Sequence, residues 1–293
     1  MKTVGELVSI LNTLEKSARW MLRRRGFESR WVLAQGARVH VSEAKGSGTR
    51  APIAVLHGVG SNLTPYSRML IGLKRGFRKV AAIETPGHGE STLDAQRTLT
   101  PDLAFGAVSE ALLTISEEPI VVFGNSLGGG MALRHAIDHP ERVAALILSS
   151  PAGAPFDSRA LPSFLRRFEL KDSAEALEFL SLMYHDVPWY ARALAGGLVE
   201  KLGTPQLKQF FESIRSEHFV KPEELQRLTM PILLLWGEDE RLLPPEHIAF
   251  FESHLPSHAL IERPRQFAHS PYLEFPKVLT ERIFRFFPEP AGR

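Results

Sequence analysis

Ser126 stands at the centre of Gly124-Asn125-Ser126-Leu127-Gly128, directly after an apolar run at residues 120–123 and directly before a Gly-rich segment with helical spacing. A sharp turn from strand to helix forces its central residue into a strained backbone conformation, and side chains two positions before and after it would clash. Gly124 and Gly128 meet that demand, and the serine hydroxyl then projects above the sheet. A hydroxyl is a poor nucleophile until a base takes its proton, and the base needs an acid to orient it. The chemistry to look for is nucleophilic, with a histidine and a carboxylate on loops after later strands.

His269, in RPRQFAHSPYLEFP, lies after the last predicted strand and before the last predicted helix, where such a base belongs. The other ten histidines fit less well. His40 sits in a predicted hairpin, and His57 and His88 lie in loops upstream of Ser126. His185 and His218 fall in a helical segment, and His247, His254 and His258 surround the helix and strand before His269. His135 and His139 have i, i+4 spacing on the helix after Ser126, but with no third ligand apparent they read as a helix surface rather than a metal site. For the acid, the loop after residues 232–236 reads Gly237-Glu238-Asp239-Glu240-Arg241-Leu242-Leu243-Pro244, so three carboxylates compete. A developing oxyanion also needs backbone donors. The Leu127 N–H, at the start of a helix, is one. His57-Gly58-Val59-Gly60, directly after the run at residues 53–56, offers the second, with Val59 N–H the first choice and Gly60 the alternative. His57 precedes the nucleophile in the chain and reads as a hydrogen bonder that shapes this loop.

The elements that must position these groups follow from the apolar pattern. Residues 29–43 alternate around Gly36, which predicts a β-hairpin. Short, nearly continuous apolar runs at 53–56, 80–83, 120–123, 143–148 and 232–236 suit strands buried on both faces of a parallel sheet. Residues 64–73, 101–117 and 127–139 between them have helical spacing. The fold class is therefore α/β, a mostly parallel central sheet with helices on both faces. Residues 151–230 carry helical patterns without a convincing buried strand and predict an inserted helical cap. A strand near 259–262, a loop and a helix over 275–287 close the chain. Residues 4–24 predict an amphipathic helix, apolar at steps of three and four and basic in its C-terminal half. It packs on the body of the protein or on a second copy, or lies on a membrane surface with a basic rim. The resulting organisation is an N-terminal helix (1–28), a core in two parts (29–150 and 231–293) and the cap (151–230).

The 293 residues suffice for one large α/β domain with an insertion. Lys+Arg is 35 against Asp+Glu 33, and this balance does not call for nucleic acid as a partner. Cysteine is absent, which excludes disulfides, a thiol nucleophile and a thiolate metal site. No run approaches the ~18 apolar residues of a membrane span. The first 20 residues lack the compact apolar core of a signal peptide, so a cytoplasmic location is expected.

Taken together, LHGVGSN, TPGHGES, VVFGNSLGGGMALRHAIDHPERVAALILSSPAG and LLLWGEDERLLP with FAHSPYLEFP resemble the α/β-hydrolase family over about residues 30–287. The order of nucleophile, acid and histidine agrees with that resemblance, as does a cap after the strand ending near Ser150. Similar proteins carry W-G-x-x-D-x-x-x-P after the seventh strand, with the aspartate catalytic. Aligning Trp236-Gly237 and Pro244 puts Glu240 at that position, with Asp239 one residue early as the alternative and Glu238 third. Glutamate can also orient an imidazole and stabilise imidazolium. Ala268 replaces a glycine that often precedes the histidine, and Glu84 replaces an aspartate near TPGHGES, a loop read as structural together with His88. A serine at the elbow argues against dehalogenases and epoxide hydrolases of this fold. LHGVGSN argues against proline iminopeptidases and ring-cleavage C–C hydrolases, which favour a Gly/Pro-rich loop there. The resemblance implies a carboxylesterase- or lipase-like serine hydrolase, needing no cofactor and no metal. It would act on small-molecule esters of short- to medium-chain acids, or on monoacylglycerol-like substrates. C–C hydrolase, thioesterase and amidase chemistry use the same triad, and a non-catalytic binding protein is a further alternative. Leu and Phe residues of the cap, with Tyr184, Trp189 and Tyr190, are expected to form an apolar acyl pocket.

Overall fold

The structure is a computed structural model that describes residues 4–157 and 159–288. It begins with α1 (Val4–Arg24) and a hairpin of β1 (Glu28–Ala34) and β2 (Ala37–Lys45). Gln35 and Gly36 have φ of 53° and 77°, the two left-handed residues of the turn type whose twist suits a two-residue hairpin loop. The sheet continues with β3 (Ile53–Leu56), β4 (Lys79–Ile83), β5 (Thr92–Leu93), β6 (Ile120–Ser126), β7 (Val143–Pro151), β8 (Ile232–Leu235) and β9 (Leu260–Glu262). Its order is β1-β2-β4-β3-β6-β7-β8-β9, antiparallel as far as the β2–β4 pair and parallel from β4 onward. The two-residue β5, too short to leave a periodic signal, pairs with the start of β2.

Period-two alternation sorts the buried strands between two cores. Ala54, Leu56, Val122, Ile232 and Leu234 face α3 (Pro101–Leu113), α4 (Leu127–Asp138) and α10 (Pro245–His254). Ile53, Val55, Val121, Phe123, Leu233 and Leu235 face α2 (Ser67–Leu73) and α12 (Pro276–Phe286) on the other side. The helix that the spacing predicts over 275–287 is α12, and a short α11 (Pro271–Glu274) precedes it. Pro276 has no N–H to continue a helical ladder and instead opens the second helix.

Among the described residues, five α-helices lie between β7 and β8: α5 (Ala160–Leu165), α6 (Ser173–Met183), α7 (Ala191–Leu202), α8 (Pro205–Glu212) and α9 (Pro222–Gln226). Asp172 caps α6 by accepting from Ala174 and Glu175 N–H, and Thr204 caps α8 by accepting from Leu207 N–H. The insertion is tied to the loops after β8 and β9. Arg167 donates to Leu242 O at 2.8 Å, Ser270 N–H donates to Met183 O at 3.0 Å, and His185 pairs with Asp239.

α1 folds back onto this assembly. Leu11 packs so closely on α7 that a Cβ at Gly197 would lie 2.8 Å from its Cδ2. Glu15 accepts from Asn62 Nδ2 at 2.9 Å and pairs with Lys201, and Leu22 is buried in the second core. Arg19 reaches the buried Glu84 at 2.6 Å. Trp20, on the opposite face, is exposed. Among the described residues no helix is long and apolar enough to cross a membrane.

Candidate active site

Ser126 ends β6 with φ 55° and ψ −122°, a conformation that side chains rarely adopt and that the surrounding packing must impose. A Cβ at Gly124 would lie 2.2 Å from Gly128 O, and one at Gly128 would lie 2.4 Å from Leu56 O. Both glycines are there because backbone passes where a side chain would be.

Asn125, between Gly124 and Ser126, does more than fill the turn. Its Nδ2 donates to Ser149 O and to His269 O, each at 3.0 Å, and its Oδ1 accepts from the buried Tyr66 hydroxyl at 3.1 Å. One side chain thus fastens the His269 main chain to the elbow, 144 residues away in sequence. The motif marks Asn125 only as a turn residue, and no local signal pairs it with Tyr66 or His269.

His269 Nδ1 lies 2.8 Å from Glu240 Oε2, with both side chains 1% exposed. The other carboxylate oxygen, Oε1, accepts from Leu242 N–H at 2.8 Å and Leu243 N–H at 3.0 Å. Burial pushes the Glu240 carboxyl up, but the His269 charge and hydrogen bonds from His269, Ser150 and Leu243 outweigh it and hold the group below its ordinary value. The two competing carboxylates are elsewhere: Asp239 pairs with His185, and Glu238 is exposed.

The loop after β3 comes up against Ser126, since a Cβ at Gly58 would lie 3.2 Å from Ser126 Cβ. Two buried histidines shape it. Thr85 N–H donates to His57 Nε2 at 3.1 Å, so the proton sits on Nδ1, 2.8 Å from Gly58 O. Gly60 N–H donates to His88 Nε2 at 3.0 Å, leaving His88 Nδ1–H for Pro86 O at 3.2 Å. Burial lowers both pKa values, that of His88 to about 3, so both rings are neutral. The Gly60 N–H is therefore engaged, whereas among the described residues no hydrogen bond takes the Val59 N–H. The Leu127 N–H opens α4, so no carbonyl within that helix accepts from it.

Ser126, His269, Gly58 and Val59 line one cavity of ≈ 360 Å³. Tyr184 and Tyr190 line it as well, but Trp189 does not: it is 92% exposed and lies edge-on to Tyr190 on the outside. Its place in the predicted acyl pocket is thus corrected, because the turn before α7 points it away from the cavity. His135 also departs from expectation. It is buried beneath α3, with Nδ1 2.8 Å from Ser109 Oγ, and is not part of a helix surface. Among the described residues no group of three or more His, Cys, Asp or Glu side chains is assembled to hold a metal.

The pattern of the serine aminopeptidase S33 family matches residues 47–275. The chain is an α/β-hydrolase of that family. This α/β-hydrolase is 28% identical over 257 residues to the pimeloyl-[acyl-carrier protein] methyl ester esterase of Pectobacterium atrosepticum, covering 83% of the chain and 96% of that protein. It is 27% identical over 228 residues to the 2-hydroxy-6-oxo-6-phenylhexa-2,4-dienoate hydrolase of Comamonas testosteroni, covering 71% and 77%. A third relative, the dihydrolipoyllysine-residue acetyltransferase component of the acetoin cleaving system of Cupriavidus necator, is 26% identical over 219 residues. That match spans 71% of the α/β-hydrolase chain but only 57% of the relative. In fold it superimposes on carboxylesterase CesB of Bacillus subtilis with a TM-score of 0.76 at 19% identity, covering 98% of the chain and all of CesB.

Proposed function

We propose that this α/β-hydrolase cleaves carboxylic esters of short- to medium-chain acids through an acyl-enzyme, with Ser126 as nucleophile, His269 as base and Glu240 as the orienting acid. The observation that carries this reading is the buried His269–Glu240 pair, whose imidazole lines an apolar cavity together with Ser126. Glu240 faces Nδ1, so the Nε2 atom of His269 is left to exchange protons with the nucleophile and the leaving group. Ser126 Oγ bonds to the acyl carbon while its proton passes to Nε2. Leu127 and Val59 N–H groups take the oxyanion. The bond from carbon to the leaving oxygen then breaks as Nε2 returns the proton to the alcohol. Water, deprotonated by the same nitrogen, releases the acid and restores Ser126.

A fluorophosphonate probe tests this reading. Stoichiometric labelling that vanishes in Ser126→Ala, together with turnover of p-nitrophenyl acetate, is the expected result; an unlabelled Ser126 would sink it. A second reading, hydrolysis of a C–C bond with the same residues, is favoured by the 27% identical dienoate hydrolase. Turnover of that relative's named substrate, without turnover of simple esters, would select it.

A further inference from the structure

Ser126 lies at a junction. It lines the ≈ 360 Å³ cavity together with His269, and it also lines a second chamber of ≈ 90 Å³ together with Leu127. Val59 and Phe168 border both. The second chamber is walled by Phe156, Phe164, Phe210, Phe211 and Phe219, whose rings pack with centroids as close as 4.7 Å. Its one guanidinium, Arg134, is already paired with Glu224 at 2.9 Å. The larger cavity has a different wall: Leu11, Leu14 and Ala18 of α1 and, from α7, Leu194 and Leu198. α1 lies ahead of residues 47–275, the span that the family pattern matches.

The two chambers are not equivalent, because His269 opens only onto the larger one. In the tetrahedral intermediate the carbon carries the oxyanion, the acyl chain and the leaving oxygen. Only the leaving oxygen must lie within reach of the base that protonates it. Resting on the triad reading above, we propose that the leaving alcohol occupies the cavity between α1 and α7 and the acyl chain occupies the phenylalanine chamber. A cavity of about 150 Å³ holds a benzene-sized molecule, so the smaller chamber holds about three or four carbons and the larger one a dozen or more. The substrate class that follows is an ester of a compact apolar acid with a long apolar alcohol. A monoacylglycerol, with its long chain on the acyl side, is the reverse arrangement.

Octyl butanoate and butyl octanoate separate the possibilities, because they have the same composition and differ only in which side of the carbonyl carries the long chain. The expected result is kcat/KM more than tenfold higher for octyl butanoate; a smaller ratio, or a reversed one, overturns the assignment. Phe211→Ala should enlarge the acyl chamber and lower that ratio, and Leu198→Trp should fill the alcohol cavity and also lower it. A folded variant of either kind that leaves the ratio unchanged counts against the proposal. If both isomers are inert while p-nitrophenyl acetate is cleaved, the assignment fails and the ester reading stands. If Ser126 takes no fluorophosphonate, the ester reading itself fails.

Discussion

Glu240 is a carboxylate taken out of water and kept ionised by what surrounds it. Two backbone N–H groups and the His269 ring meet its oxygens, whereas the Asp239 carboxylate one residue earlier pairs with His185 at a partly exposed site. In the proposed triad, replacing this acid by its amide would remove the charge that holds the imidazole tautomer and stabilises imidazolium. Glu240→Gln should lower kcat for p-nitrophenyl acetate by roughly 10³- to 10⁴-fold. Asp239→Asn should leave kcat within about threefold, since it touches no reacting group. A severe loss from Asp239→Asn alone would reverse the assignment. Asn125 allows a second test at this scale. Asn125→Ala strips partners from Ser149 O, His269 O and the Tyr66 hydroxyl, all buried. Unfolding in urea should show a loss of about 2–4 kcal/mol.

At the scale of elements, α1 is held to the core by a buried charge rather than by its apolar stripe alone. Glu84 accepts from His40 Nδ1 at 2.8 Å, from Glu90 N–H at 2.7 Å and from Leu63 N–H at 3.2 Å, besides its contact with Arg19. Burial pushes its carboxyl up, but the His40 hydrogen bond, the Arg19 charge and the Glu90 N–H outweigh that and hold it at about 2, against an ordinary 4.5. A carboxyl with a depressed folded pKa stabilises the fold fully above its unfolded pKa and loses that contribution as pH falls through the folded one. Stability should therefore drop by about 3 kcal/mol between pH 5 and pH 2 from this group, and the drop should be absent in Glu84→Gln. Arg19→Met leaves Glu84 buried without its cation and should cost roughly 3–5 kcal/mol in urea unfolding. Because α1 also walls the larger cavity, that variant should raise KM for long-alcohol esters more than it lowers kcat.

The whole molecule keeps several histidines uncharged inside. Burial, the largest cause in each case, lowers the pKa of His57, brings His88 to about 3, and brings His135 and His247 to about 4, against an ordinary 6.5. On acidification the unfolded chain takes up these protons first, so stability falls as pH drops below 6.5 and keeps falling toward the folded values. Each such group steepens the decline by about 1.4 kcal/mol per pH unit. Urea midpoints between pH 7 and pH 4.5 should fall continuously. His88→Gln, which keeps an acceptor for Gly60 N–H, should reduce the slope by about one histidine's share; an unchanged slope would mean His88 is not held neutral.

Local pattern was enough to place a sharp strand-to-helix turn at Ser126, because Gly124 and Gly128 satisfy a steric demand that operates within five residues. The buried strands were legible for a similar reason: unbroken apolar runs suit a sheet covered on both faces, and chain order placed His269 after the last of them. Asp239 and Glu240, by contrast, differ by one residue in a loop without periodicity, and only the fold brings Glu240 to His269 and Asp239 to His185. Trp189 and His135 were misplaced for the same reason, since composition and spacing state that a face is apolar but not what it meets. The division of the interior into two chambers, and α1 as a wall of one, depend on contacts between segments more than 100 residues apart. Such contacts leave no mark on the chain nearby, because the free energy that selects them comes from burial shared among elements rather than from any one of them.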